Sequence, residues 1–332
     1  MKTKKAVLLG VVFLLIVSLM LSPGCTKETE TETPTTMPTE SETVAFSDEN
    51  LEAAIRERLG KTSGEEITAT ELATLNVFVA NGRGIANLSG IQHLSNLTEL
   101  HLHENQINDI SPLSNMTKLT YVGFDNNQIS DISPLAFLPN LTVLCLADNQ
   151  ISDVSPLSNL TRLTYVDLSS NQISDISPLA FLTNLTVLWL ADNQISDISH
   201  LSNPTSLTFL HLGGNQISDI SPLASLTNLT RLAIYNNQIS DISPLAFLTN
   251  LTKLWLADNQ ISDVSHLSNL TSLTFLHLGG NQISDISPLV ENSGLSDGDV
   301  VCPNENPLST SSLDVYIPQL EERGVEINWG CP

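Results

Sequence analysis

The chain has 332 residues, 36 Asp plus Glu against 13 Lys plus Arg, and a formal net charge of -23. A surface this acidic repels phosphate backbones, so nucleic acid is excluded as a partner, while basic or divalent-cation partners stay open. The four cysteines (Cys25, Cys145, Cys302, Cys331) show no metal-ligand spacing and are too few for a disulfide scaffold.

Residues 1–25 read as a targeting segment. Lys2, Lys4 and Lys5 precede an apolar run from Ala6 to Leu21, broken only by Gly10 and Ser18. The run is short of the roughly 20 apolar residues of a stable membrane span. Leu21-Ser-Pro-Gly24-Cys25 resembles a bacterial lipoprotein signal, in which cleavage before Cys25 leaves that cysteine lipidated. Gly24 fits the resemblance, whereas Pro23 and the position of Leu21 depart from it. The other reading is a plain secretory signal with an incidental cysteine. Both put the protein outside the cytoplasm, at the cell surface or envelope or freely secreted, and membrane contact is expected only through the lipid. Residues 26–45, rich in Thr, Glu and Pro, cannot offset chain entropy by burial and are expected to form a disordered tether.

A helical cap is expected over 46–84. Ser47-Asp48-Glu49-Asn50 supplies an N-cap and early acids; Leu51, Ala54, Ile55 and Leu59 recur at helical spacing, and Gly60 stops the helix. A second helix is predicted from Thr68 to Leu75, with Thr68 and Glu71 set as a capping box. Asn81-Gly82-Arg83 reads as a degenerate version of the turn that follows in every later copy.

From 85 to 289 the chain repeats itself. Leu163-Thr-Tyr-Val-Asp-Leu168-Ser-Ser-Asn171-Gln-Ile173-Ser-Asp175-Ile176-Ser-Pro178-Leu179 stands for all copies, with Asn at 105, 127, 149, 171, 193, 215, 237, 259 and 281. The pattern L-x-x-L-x-L-x-x-N at an unbroken period of 22 is the leucine-rich repeat signature. It predicts a solenoid of the α/β class, with short parallel strands on the concave side and 3-10 or extended segments on the convex side. In each copy Leu-Thr-x-Leu-x-Leu alternates as a strand with one buried face should. The Asn column reads as a structural ladder bonded to turn backbone. Neighbours about 4.8 Å apart make a sheet some 40–45 Å long. The Asp column at 109, 131, 153, 175, 197, 219, 241, 263 and 285 reads as local bonding to turn amides, with stacked carboxylates for Ca²⁺ as the weaker alternative. Asn-Leu-Thr sites are repeat text, and a bacterial signal makes glycosylation there irrelevant.

The pattern through Asn-Gln-Ile-Ser-Asp-Ile-Ser-Pro-Leu resembles the 22-residue repeats of internalins and related bacterial surface proteins. The resemblance covers about 85–289, and the helical cap is of the same sort. It implies a concave sheet that binds host surface proteins. The expectation is that no immunoglobulin-like domain and no cell-wall sorting motif follow the repeats.

Three columns of variable residues are expected to face solvent on the concave side. The third repeat position reads Glu99, Tyr121, Val143, Tyr165, Val187, Phe209, Arg231, Lys253, Phe275. The fifth reads His101, Gly123, Cys145, Asp167, Trp189, His211, Ala233, Trp255, His277, and the seventh adds His103, Asp125, Ser169 and Tyr235. Aromatic residues are only 5% of the chain, yet every Trp except Trp329 and every Tyr except Tyr316 falls in these columns. Exposed aromatics anchor interfaces. The candidate ligand residues are therefore Tyr121, Tyr165, Asp167, Trp189, Phe209, His211, Tyr235, Trp255, Phe275 and His277. Packing of bulky rings along a β surface is the alternative. The segment 188–223 is nearly repeated at 254–289, so the paired Trp and His residues also reflect a three-repeat duplication.

His101 and His103 share a strand face near Asp125, read as a common exposed face rather than a metal site. No nucleophile motif, H-E-x-x-H or glycine-rich phosphate loop occurs, so neither enzyme activity nor a cofactor is expected. Residues 290–332 read as a C-terminal cap: a last strand through Val301 with a final Asn turn at Asn306, a helix over Leu313–Glu322 interrupted by Pro318, and an edge strand to Trp329. Cys302 and Cys331 are candidates for a bridge there, and both states stay open. The leading functional expectation is a surface-anchored module binding a protein, or a glycan, on its concave sheet. The other is a structural envelope or adhesion spacer without a specific ligand.

Overall fold

A computed structural model describes residues 42–331, so the signal, Cys25 and most of the tether lie outside the described residues. The ordered chain begins before Phe46. Val44 is buried and its N–H donates to Ile67 O at 2.8 Å, while Ala69 N–H donates to Glu42 O. The apolar side chain of Val44 and these backbone bonds explain why 42–45 join the cap rather than the tether. Phe46 then lies over Gly90, where any Cβ would meet the Phe46 ring at 2.5 Å.

Helix α1 spans Glu49–Leu59. Asp48 caps it by accepting Asn50 and Leu51 N–H, and Gly60 ends it at φ 69. Its Leu51 and Ile55 are fully buried against the first turn of the solenoid. Helix α2 covers Ala69–Leu72 with the Thr68/Glu71 capping box in place. It ends three residues before the expected Leu75. The N–H groups of Thr74 and Leu75 bond to Glu71 and Leu72, tightening the chain into i→i−3 turns that bury Leu75.

One sheet of twelve strands follows, in chain order and parallel throughout. The strands are β1 (Val77–Val79), β2 (Glu99–His101), β3 (Tyr121–Gly123), β4 (Val143–Cys145), β5 (Tyr165–Asp167) and β6 (Val187–Trp189). They continue as β7 (Phe209–His211), β8 (Arg231–Ala233), β9 (Lys253–Trp255), β10 (Phe275–His277), β11 (Val300–Cys302) and β12 (Glu326–Ile327). The sheet thus begins inside the stretch read as the N-terminal cap. The convex segments are 3-10 turns such as Ser155–Leu157 and Ser177–Phe181, with Pro near the start of most. The solenoid ends with α3 (Ser287–Glu291) and a continuous helical run in which a π turn over Ser312–Tyr316 leads into α4 (Ile317–Glu322), with Pro318 directly after the π turn. Cys302 and Cys331 form a disulfide with Cα atoms 6.0 Å apart.

Each copy closes around the same apolar set. Leu163, Val166, Leu168, Ile173, Ile176, Leu179 and Leu182 are 0–1% exposed. Full burial of one such side chain stabilises by about 1.5–3 kcal/mol, and stacking makes each copy the wall of the next. Between them runs the Asn ladder. Asn171 Nδ2 donates to Leu146 O, Leu168 O and Ser169 O, and its Oδ1 accepts Ile151 N–H at 2.9 Å, so one side chain ties two copies. Two further ladders have no counterpart in the sequence reading. Thr164 Oγ donates to Thr142 O, a bond repeated down the column from Thr98 to Thr274. Asn140, Asn184 and Asn250 donate to the carbonyl 23 residues earlier. The Asp column caps the convex turns: Asp175 Oδ1 accepts Ser177 N–H at 2.8 Å, and that bond holds its carboxyl below the ordinary range.

Candidate ligand-binding concave face

The third and fifth residues of each copy stand at the two ends of three-residue strands, on the side away from the Leu core. Register brings column neighbours together: Val187 with Phe209, and Trp189 with His211. Trp189 meets Phe209 at 4.6 Å between ring centroids and His211 edge-on at 5.0 Å. His211 then meets Tyr235 at 5.4 Å, its Nε2 lying 3.2 Å from the phenol oxygen. Trp189, Phe209, His211 and Tyr235 thus form one cluster across β6–β8. A second holds Trp255 against Phe275 at 5.3 Å. Towards the N-terminal end, His101 stacks on Tyr121 at 4.2 Å, and Tyr121 Oη lies 3.8 Å from Cys145 Sγ.

These side chains are not freely exposed as expected. Tyr121, Tyr165, Asp167, Trp189, Phe209, His211, Tyr235, Trp255 and Phe275 are half-buried, and His277 is only 6% exposed. Contact between neighbouring copies is the reason: in-register rings cover one another, as Trp189 does with Phe209 and His211, and Trp255 with Phe275. His277 sits between Trp255 and Cys302 in the register, and burial pushes its pKa below the ordinary imidazole value. Burial does the same to His211. Asp167, between Cys145 and Trp189, is pushed up to about 6, first by burial and only partly offset by the Ser169 N–H that it accepts.

Trp189 Nε1 and His211 Nδ1 are enclosed polar atoms without a hydrogen-bond partner among the described residues. An unpaired buried polar group costs about 1–3 kcal/mol and calls for an explanation beyond packing. His103 Nδ1 lies 3.1 Å from Asp125 Oδ2. Among the described residues, no group of three or more His, Cys, Asp or Glu is placed to hold a metal.

The leucine-rich repeats (2 copies) family model matches residues 95–137, 139–180, 161–203, 205–246 and 249–291. Among solved structures, an internalin (inlF) from Listeria monocytogenes is 39% identical, with a TM-score of 0.73, over 85% of this chain and 91% of that one. The chain belongs to the internalin-like leucine-rich repeat proteins. An internalin C2 (inlC2) from the same organism is 40% identical over 69% of this chain and 92% of that one, with a TM-score of 0.55. The leucine-rich repeat ectodomain of a plant membrane receptor kinase from Arabidopsis thaliana is 25% identical, with a TM-score of 0.58, over 72% of this chain and 34% of that one. It was solved in complex with Casparian strip integrity factor 2. No curated protein matches the chain.

In this internalin-like protein the aromatic columns do not form one stripe. Ala233, 5% exposed, and the exposed Arg231 and Lys253 separate the Trp189 cluster from Trp255 and Phe275. Arg231 and Lys253 stand in the third column, where no motif marks them. The rarity of Lys and Arg in the repeats was the available signal. A second surface was also missed: Phe137, Phe181 and Phe247, each 63–64% exposed, stand on convex 3-10 turns in one repeat position. Shallow clefts beside two of them share one construction, Phe181 with His200 and Phe247 with His266, 66 residues apart in each case. A column count at period 22 on the convex side would have shown the Phe residues.

Proposed function

We propose that this chain is a surface-anchored binding protein that takes a protein ligand on the concave face of its solenoid. The observation that carries the reading is the Trp189–Phe209–His211–Tyr235 cluster, half-buried in the concavity and containing two enclosed polar atoms, Trp189 Nε1 and His211 Nδ1, without partners. Rings on the inner side contribute nothing to the Leu and Ile core, and half-burial pre-organises them, which lowers the entropy cost of binding. A receptor ectodomain of like fold, solved in complex with Casparian strip integrity factor 2, supports a protein as the ligand class. A glycan is the second ligand class that such rings accept. Export is assigned to residues 1–25, attachment to lipidated Cys25 and reach to the spacer after it.

The test uses the purified protein immobilised against secreted and envelope extracts, alongside Trp189→Ala/Tyr235→Ala/Trp255→Ala. Specific capture lost in the triple variant is the expected result; unchanged capture sinks the reading. One observation favours a second reading, a structural spacer: 188–223 and 254–289 are nearly identical, which leaves few positions chosen for contact. Self-association with no other capture would establish that role.

A further inference from the structure

Between Arg162 and Arg323 the chain has only two Lys or Arg residues, Arg231 and Lys253. The fold makes them direct register partners on β8 and β9, both exposed on the concave face. Neither has an acidic partner among the described residues. Their own neighbours in the same column are Phe209 on one side and Phe275 on the other. The row Phe209-Arg231-Lys253-Phe275 is thus a cationic pair bracketed by two rings, in a chain of net charge -23. Two unpaired like charges side by side repel, and local folding gains nothing from them.

We propose that this row is a seat for an acidic, extended segment of a protein partner, one carboxylate lying between Arg231 and Lys253 and an apolar side chain on each Phe. The proposal rests on the concave-face reading and specifies its partner. The spacing defines a motif. Phe209 and Phe275 are three strands apart, about 14 Å at about 4.8 Å per strand. An extended chain rises about 3.4 Å per residue, so residues i and i+4 span nearly the same distance, with i+2 between them on the same face. The matching segment is apolar-x-Asp/Glu-x-apolar, laid across the strands. Guanidinium and ammonium groups both bond carboxylates strongly, and the surrounding acidity rejects acidic segments everywhere else.

A phage-displayed random dodecapeptide library selected on the purified protein tests this. Enrichment of an acidic residue with apolar residues two positions to either side is expected. Arg231→Glu/Lys253→Glu should retain those phage at least tenfold less and select Lys or Arg instead. The charge-conserving Arg231→Lys/Lys253→Arg should keep the original selection, which separates charge from folding. No acidic enrichment, or acidic enrichment that survives the charge reversal, overturns the proposal. So does a heparin octasaccharide held by the wild type and lost in the reversal when no acidic peptide is selected, since the pair then serves a sulfated glycan. The two readings fail separately. Extract capture that survives Trp189→Ala/Tyr235→Ala/Trp255→Ala but is lost in the charge reversal removes the aromatic cluster and leaves this row standing.

Discussion

Asp48 accepts the backbone N–H of Ala86 at 2.7 Å, so the carboxylate that caps α1 also clamps the helix to the first turn of the solenoid. Oδ1 takes Asn50 and Leu51, and Oδ2 takes Ala86 and Asn87. Partial burial pushes the Asp48 carboxyl up, but the four N–H donors together outweigh it and hold its pKa below the usual 3.8. A depressed pKa stabilises the fold above the unfolded value, and that contribution is lost as pH falls below about 4 through the folded pKa. Asp48→Ala should lower stability at pH 7 by about 1–2 kcal/mol, the cost of a lost N-cap. The difference from wild type should shrink towards pH 3. Urea unfolding at the two pH values measures it.

The ladder makes a sharper prediction at Asn171. Asn171→Ala leaves Ile151 N–H without a partner and takes one donor each from Leu146 O, Leu168 O and Ser169 O, which keep Asn149, Asn193 and the Asp148 N–H. With about 1–3 kcal/mol for the one unsatisfied buried N–H and smaller losses at the three carbonyls, a loss of about 2–3 kcal/mol is expected. Asn171→Asp should be no better, because it keeps the acceptor while replacing the three-fold donor with a charge. An Asp variant of wild-type stability in chemical denaturation would show that the donors contribute nothing.

Pro204 is buried at the position held by Leu270 in the duplicated copy. Leu270 N–H donates to Leu267 O at 3.2 Å, a bond that Pro204 cannot make to Leu201 O. Pro204→Leu restores the donor and the side chain that stands in this repeat position at 160 and 270. A gain of about 1 kcal/mol is expected, read as a rise in Tm.

Asp167 lies on the concave face with its pKa raised to about 6 by burial. A raised pKa means that the folded state holds the proton better. The stabilisation is complete below the unfolded value of 3.8 and lost as pH rises through about 6, so the charged form burdens the fold at pH 7. Asp167→Asn should stabilise by about 1–2 kcal/mol at pH 7, a shift of this size at 1.36 kcal/mol per pKa unit discounted for partial exposure. Near pH 4 the two proteins should converge. Equal stability differences at both pH values would contradict the assignment.

Leu100, Ile107 and Asn105 show how much of this protein its text determines by itself. A 22-residue period of Leu, Ile and Asn admits one stacking, because any other register exposes apolar side chains and leaves turn amides unpaired. The same local chemistry made α1 legible, since Asp48 and Gly60 act on residues within a turn of themselves. Where a long-range partner decides, the sequence was silent. Nothing near Asp48 announces that its second oxygen reaches Ala86, and nothing around Val44 announces its bond to Ile67. The residue before each ladder Asn adopts positive φ, 54 at Ser170 and 56 at Asn126, although its identity varies from Glu to Gly. Most of these residues are Asn, Asp or Gly, which tolerate that conformation best; at Glu104 and Ser170 the stack imposes it. Sequence columns located the concave residues, but only contacts with neighbouring copies decided that Trp189 and His211 would be half-buried and His277 covered. It also took the fold to place Arg231 against Lys253 as two unpaired charges on adjacent strands. Periodicity reports which residues share a face; how far each can reach into solvent depends on neighbours one repeat away and on how tightly the sheet bends.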